Sequence, residues 1–245
     1  MRETPHGKEE PGRDLGRQSG RMYGRRSLLI GSGVLAVAAV GLIAVGLARQ
    51  EPAPPQADRA LPVSAPQPSG QNGGGDHSAH TGHTMTQAPL RGTILKASTP
   101  ERITIPELNV DSALESLGLD AHRAMQTPRD PDKAGWFTPG PTPGELGPSV
   151  IAGHVTWNQA PGVFFKLGAM KKGQTINVTR QDGTTAVFTV ERIARYPKDK
   201  FPTVEVYGNL DHAGLRLITC GGNYSTADHH YTDNVVVYAS LTSTR

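Results

Sequence analysis

Residues 215–239 read "LRLITCGGNYSTADHHYTDNVVVYA", two apolar, β-branched runs separated by a polar, glycine-containing stretch. Runs of this composition, bounded by Gly, Asn, Asp and Ser, have the signature of paired strands. The first run ends in Cys220, the only cysteine among 245 residues. A lone cysteine makes no intrachain disulfide, so it is either a small buried apolar residue or a thiol kept for its reactivity. Gly221 and Gly222 follow, which lets backbone come close and leaves N–H groups free. A second polar residue closes an apolar run earlier in the chain, His154 in "SVIAGHV" (149–155). A cysteine and a histidine that meet at strand ends supply a nucleophile and its acid/base partner, although sequence spacing alone does not bring them together.

The same short-strand texture surrounds both residues. "RITIPELNV" (102–110) alternates and is interrupted by Pro106, and "TINVTRQDGTTAVFTVERIARY" (175–196) holds Asp182-Gly183 where a hairpin turn belongs. Only "SALESLGLDAHRAM" (112–125) and the segment around "GVFFKLGAM" (162–170) look able to form short helices. Many short strands with regular turn punctuation predict a mainly all-β domain, a closed barrel or a sandwich, over residues 92–245. About 150 residues suffice for one core.

Upstream the character changes. Twenty prolines and 29 glycines with 5% aromatics are too turn-rich for a wholly globular chain. The net charge of +3 is carried by basic residues crowded at the start, Arg2 to Arg26, in a cytoplasmic segment 1–27, and it indicates orientation in a membrane, not a nucleic-acid surface. Residues 28–47, "LLIGSGVLAVAAVGLIAVGL", carry no charge over a length that spans a hydrocarbon core of about 30 Å. This predicts a single transmembrane helix with a cytoplasmic N-terminus and everything after it outside the cell membrane. Cleavage as a signal peptide is the competing reading, and the length of the run argues against it. The Arg25-Arg26 pair also fits a twin-arginine export signal. Residues 48–91 are Pro-, Gly- and His-rich and predict a disordered linker. His77, His80, His83 and Met85 within it are of the kind that bind copper or zinc, but a polar spacer without supporting groups is the better reading, so no metal or other cofactor is expected.

"SVIAGHV", "GVFFKL", "LITCGG" and "DNVVVYA", together with "IPELNVDSALESLGLD", "GWFTPGPTPGELGPS" and "FPTVEVYG", resemble a sortase, most like the actinobacterial class E/F group. The resemblance runs in order over nearly all of residues 100–241. It implies an eight-stranded β-barrel tethered by an N-terminal span, with its catalytic face toward the cell wall. It further implies a cysteine transpeptidase that cleaves LPXTG-type sorting signals between Thr and Gly. Cys220 would attack the Thr carbonyl and hold the acyl group as a thioester. An amine from a cell-wall precursor or a pilin lysine would resolve it, with His154 as acid and base. Thr219, one residue before the nucleophile, points to the opposite face of a regular strand and supports the fold.

At one position the chain departs from the family pattern. Class F relatives read "HYRDNVVVYA" where this chain reads "HYTDNVVVYA", so Thr232 stands where the family places a substrate- and oxyanion-clamping arginine. A hydroxyl is one short donor, whereas a guanidinium is a charged fork. Arg216, His229 and His230 are the other side chains near enough in sequence to substitute. The alternative to an active enzyme is a sortase-like module that binds peptide or wall material with little turnover.

Overall fold

The computed structural model describes residues 53–60 and 89–245. The span expected over 28–47, the basic segment before it and the histidine tract all lie outside the described residues.

Alternating burial builds the strands. In β7 (Thr175–Arg180) Ile176, Val178 and Arg180 are buried while their neighbours are half-exposed, the period-two pattern of a strand with one face on a core. The other strands of the main sheet are β1 (Pro100–Ile105), β2 (Val110–Leu117), β3 (Ala134–Phe137), β4 (Gly147–Gly153), β8 (Thr185–Pro197), β9 (Ala213–Ser225) and β10 (His230–Thr244). They close into an eight-stranded barrel in the order β1-β2-β3-β4-β9-β10-β8-β7. A separate small hairpin is formed by β5 (Thr156–Trp157) and β6 (Ala160–Pro161). The Asp182-Gly183 turn is where the sequence places it. Gly183 adopts φ 82°, and the Asp182 carboxylate accepts from the Thr184 N–H at 3.0 Å.

Two apolar clusters form on the two faces of this sheet. Inside the barrel Ile151, Phe164, Phe188, Leu215, Leu217 and Val237 are among the fully buried residues. Outside, Val150, Ile218, Val236, Tyr196 and Tyr238 pack together beneath the loop joining β8 to β9. β4 is therefore buried along its whole length, on both faces, and reads "GPSVIAG" without polar alternation.

Three expectations need correction. Residues 112–117 are not helical. The Ala113, Leu114 and Leu117 spacing suits a helix, but Val110–Leu117 pairs antiparallel with β1 and parallel with β3, and pairing on both edges overrides a weak local preference. Residues 162–170 yield only a 3₁₀ turn at Leu167–Ala169. The one α-helix among the described residues, α1 (Thr203–Tyr207), lies in the β8–β9 loop, where Val206 is buried against the outer cluster.

The third correction concerns the start of the linker. Residues 53–60 are packed on the barrel, not free. The backbone of Asp58 and Ala60 brackets Arg195 of β8, Arg195 N donating to Asp58 O and Ala60 N to Arg195 O, each at 3.0 Å. Ala57 is buried, and Gly168 has no Cβ because Pro55 and Ala57 backbone lies over it. Proline richness signals an extended backbone, and extended backbone pairs with a sheet as readily as it spans a gap.

Candidate active site

Cys220 is a free, half-buried thiol inside β9, which does not end at the cysteine but continues through the glycines to Ser225, paired with β10. β4 runs parallel beside β9, with Ala152 level with Ile218. β4 ends at Gly153, and His154 follows it directly, beside the Thr219–Cys220 step of β9. The Thr219 hydroxyl holds this level, donating to the Gly153 carbonyl at 2.8 Å. Neighbouring strands lie about 4.8 Å apart, and residues an even number of steps from a pair share its face. Cys220, two steps from Ile218, is on the outer face of the sheet, and His154 is carried by the segment that continues the neighbouring strand, not by the opposite wall of the barrel. Thr219 faces the interior, as expected, and is buried.

Gly153 is what lets the strand carry a histidine there. A Cβ on it would lie 2.6 Å from Val163 and 2.7 Å from Phe164, so any larger residue pushes into the interior core. The imidazole is fixed on two sides. Its Nε2 lies 2.8 Å from the Pro128 carbonyl oxygen, and its ring meets Trp157 edge to face at 5.0 Å between centroids. A carbonyl only accepts, so the proton sits on Nε2 and Nδ1 is left as the basic atom. Trp157 is carried on the β5–β6 hairpin, whose two turn residues Asn158 and Gln159 both have positive φ, 49° and 68°. Thr156 on that hairpin shares a hydrogen bond of 3.1 Å with the Tyr231 hydroxyl, and Tyr231 meets Tyr224 edge to face at 5.2 Å. An aromatic rim therefore joins the two hairpins that flank Cys220 and His154.

The two glycines after the cysteine serve geometry more than open amides. Gly221 packs where a Cβ would lie 2.7 Å from Val235. Gly222 adopts φ 78°, opposite an irregularity in β10 that leaves Thr232 out of the ladder. Its N–H is not free, because the Gln56 side-chain oxygen accepts it at 2.7 Å. The same oxygen accepts from the Arg195 guanidinium at 3.2 Å. Neither Gln56 nor Pro128 was singled out from sequence, and neither lies in a motif that would have marked it.

A family model for the sortase domain matches residues 103–242, more than half of the chain. The chain belongs to the sortase family. Its fold is similar to solved sortases. Sortase A of Listeria monocytogenes is 21% identical, with 61% of this chain and 90% of that one covered and a TM-score of 0.46. The SrtA sortase of Actinomyces oris is 18% identical over 66% and 89%, with a TM-score of 0.45. A Clostridium perfringens sortase D5 transpeptidase is 22% identical over 60% and 79%, with a TM-score of 0.45. No curated protein sequence matches the chain.

In this sortase the four side chains that sequence offered for the clamp are distant from Cys220 along the strands, held by other partners, or in the connecting turn. Arg216 is buried four residues back along β9, about 13 Å at the backbone. Its guanidinium lies 4.6 Å from the Tyr238 ring and donates to the Leu215 carbonyl, and burial pushes its pKa down. His230 is exposed at the far end of the hairpin, opposite Ser225, with Nδ1 on the Asp228 carbonyl at 3.1 Å. Thr232 is exposed, and its hydroxyl accepts from the Asn223 N–H at 3.2 Å. His229 lies in the connecting turn with φ 53°.

Proposed function

We propose that this cysteine transpeptidase of the sortase family acts with Cys220 as nucleophile and His154 as acid and base. On this reading it cleaves LPXTG-type sorting signals and transfers the acyl group to an amine of a cell-wall precursor or pilin. The observation that supports the reading is the parallel pairing of β4, which His154 directly follows, with β9, which carries Cys220, in the family's barrel. The thiol proton passes to Nδ1 of His154, and the thiolate attacks the Thr carbonyl, whose electron pair moves onto oxygen. When the intermediate collapses, the C–N bond breaks and the departing glycine amine takes the proton from Nδ1. The incoming amine reverses these steps: it gives a proton to His154, attacks the thioester and expels the thiolate.

The charge-free run over 28–47 supports a single-pass anchor that keeps the barrel outside the cell membrane. The test is to incubate the full chain with LPXTG-type peptides and intercept the reaction with hydroxylamine. A peptidyl adduct on Cys220 and a hydroxamate ending in the signal's Thr are expected. Peptides bound without any adduct or cleavage would overturn the reading in favour of a binding module.

A further inference from the structure

The Cys220 site lacks the family's arginine in sequence, and the residues proposed to replace it are engaged elsewhere. The register supplies a different group. Asn234 of β10 is the direct antiparallel partner of Cys220. Directly opposed residues share a face, with Cβ atoms about 4.5–5.5 Å apart. Asn234 is half-buried, and among the described residues its side-chain amide makes no hydrogen bond. The row across β4, β9 and β10 therefore runs His154, Cys220, Asn234, with Cys220 and Asn234 directly paired and His154 one residue past the end of β4.

We propose that Asn234 is the oxyanion donor of this site, a role that rests on the reading of Cys220 as an acyl-accepting nucleophile. The order of the row decides between the two tasks an asparagine performs beside a Cys-His pair. An asparagine that orients the imidazole must touch it, but here Cys220 stands between the two, and the Pro128 carbonyl already holds the proton-bearing Nε2. What Asn234 can reach is the far side of the carbon that the sulfur attacks. As the S–C bond forms, the carbonyl pair moves onto oxygen, and a neutral Nδ2–H donates to it without a counter-charge. Thr232 is two residues earlier in β10, about 7 Å away at the backbone, with its hydroxyl on the Asn223 N–H.

The test compares Asn234→Ala and Asn234→Asp with the wild-type full chain on two acyl donors, an LPXTG-type peptide and p-nitrophenyl acetate, with Cys220→Ala as blank. Iodoacetamide alkylation of Cys220 reports the thiol itself. Asn234→Ala should lower kcat for acylation by both donors about 10²-fold, with KM nearly unchanged and alkylation within about threefold. Asn234→Asp, which at neutral pH has no N–H to give, should be at least as slow. Retention of more than a tenth of acylation, or a parallel fall in alkylation, would overturn the donor role. If p-nitrophenyl acetate acylates Cys220 and the peptide does not, the sorting-signal reading fails while Asn234 is still judged on the ester. If neither donor acylates wild type, both readings fall.

Discussion

The Nε2–H of His154 is held at 2.8 Å by the carbonyl of Pro128, a residue 26 positions earlier, in the loop between β2 and β3. The bond fixes the tautomer and turns Nδ1 into the only basic atom of the ring. His154→Ala should lower transpeptidation by about 10²- to 10⁴-fold at neutral pH, the range for removal of a positioned acid/base. Steady-state rates on a sorting-signal peptide check this, and a loss under tenfold would reduce His154 to a packed strand-end residue.

Cys220→Ala should abolish covalent capture and leave the fold intact, because a half-buried small side chain is replaced by another. Mass spectrometry after hydroxylamine or peptide treatment, alongside thermal melting, reads both halves. Undiminished product from the alanine variant would remove the assignment.

Gly153→Ala is a sharper probe of the histidine's placement. The new methyl meets Val163 and Phe164, and overpacking of this kind costs about 1–3 kcal/mol. The backbone must shift beside His154, so activity should fall at least about tenfold while the barrel still folds. Melting temperature and kcat together separate this outcome from simple unfolding.

Residues 53–60 should be needed for full stability and activity, contrary to the expectation that the whole linker only spaces. A chain beginning at residue 89 loses the two backbone bonds at Arg195 and the Gln56 bond to Gly222. At about 1 kcal/mol per hydrogen bond, with the burial of Ala57 added, the loss is about 2–4 kcal/mol. For a domain of this size that corresponds to a fall in Tm of roughly 5–15 °C. Gln56→Ala alone should slow catalysis, since it frees the N–H two residues after Cys220 where the backbone is at positive φ. Equal melting and equal rates for the chains beginning at 51 and 89 would contradict this.

Thr232→Arg should gain no more than about twofold in kcat/KM if Asn234 already serves the oxyanion. The new guanidinium would crowd Gly222, whose Cα faces the Thr232 hydroxyl and the Asp233 carboxylate. A gain of tenfold or more would mean that the site lacks its donor and that the family's clamp restores it.

By itself the sequence determined the strand-rich fold class, the Asp182-Gly183 turn and the Cys220–His154 candidates. Each rests on a local signal: β-branched runs, turn dipeptides, and reactive side chains at strand ends. The mistaken helix at 112–125 shows the limit of such signals, since Leu114 and Leu117 fit either period until β1 and β3 bind both edges of their strand. Tertiary structure alone decided that β4, which leads into His154, runs beside the Cys220 strand, that Asn234 pairs with Cys220 on its other side, and that Gln56 reaches Gly222 across 166 positions. Register is a collective property. It is set by every pair along β4, β9 and β10 at once, and a slip of one residue would move Asn234 and Cys220 to opposite faces, so no short stretch of sequence contains it.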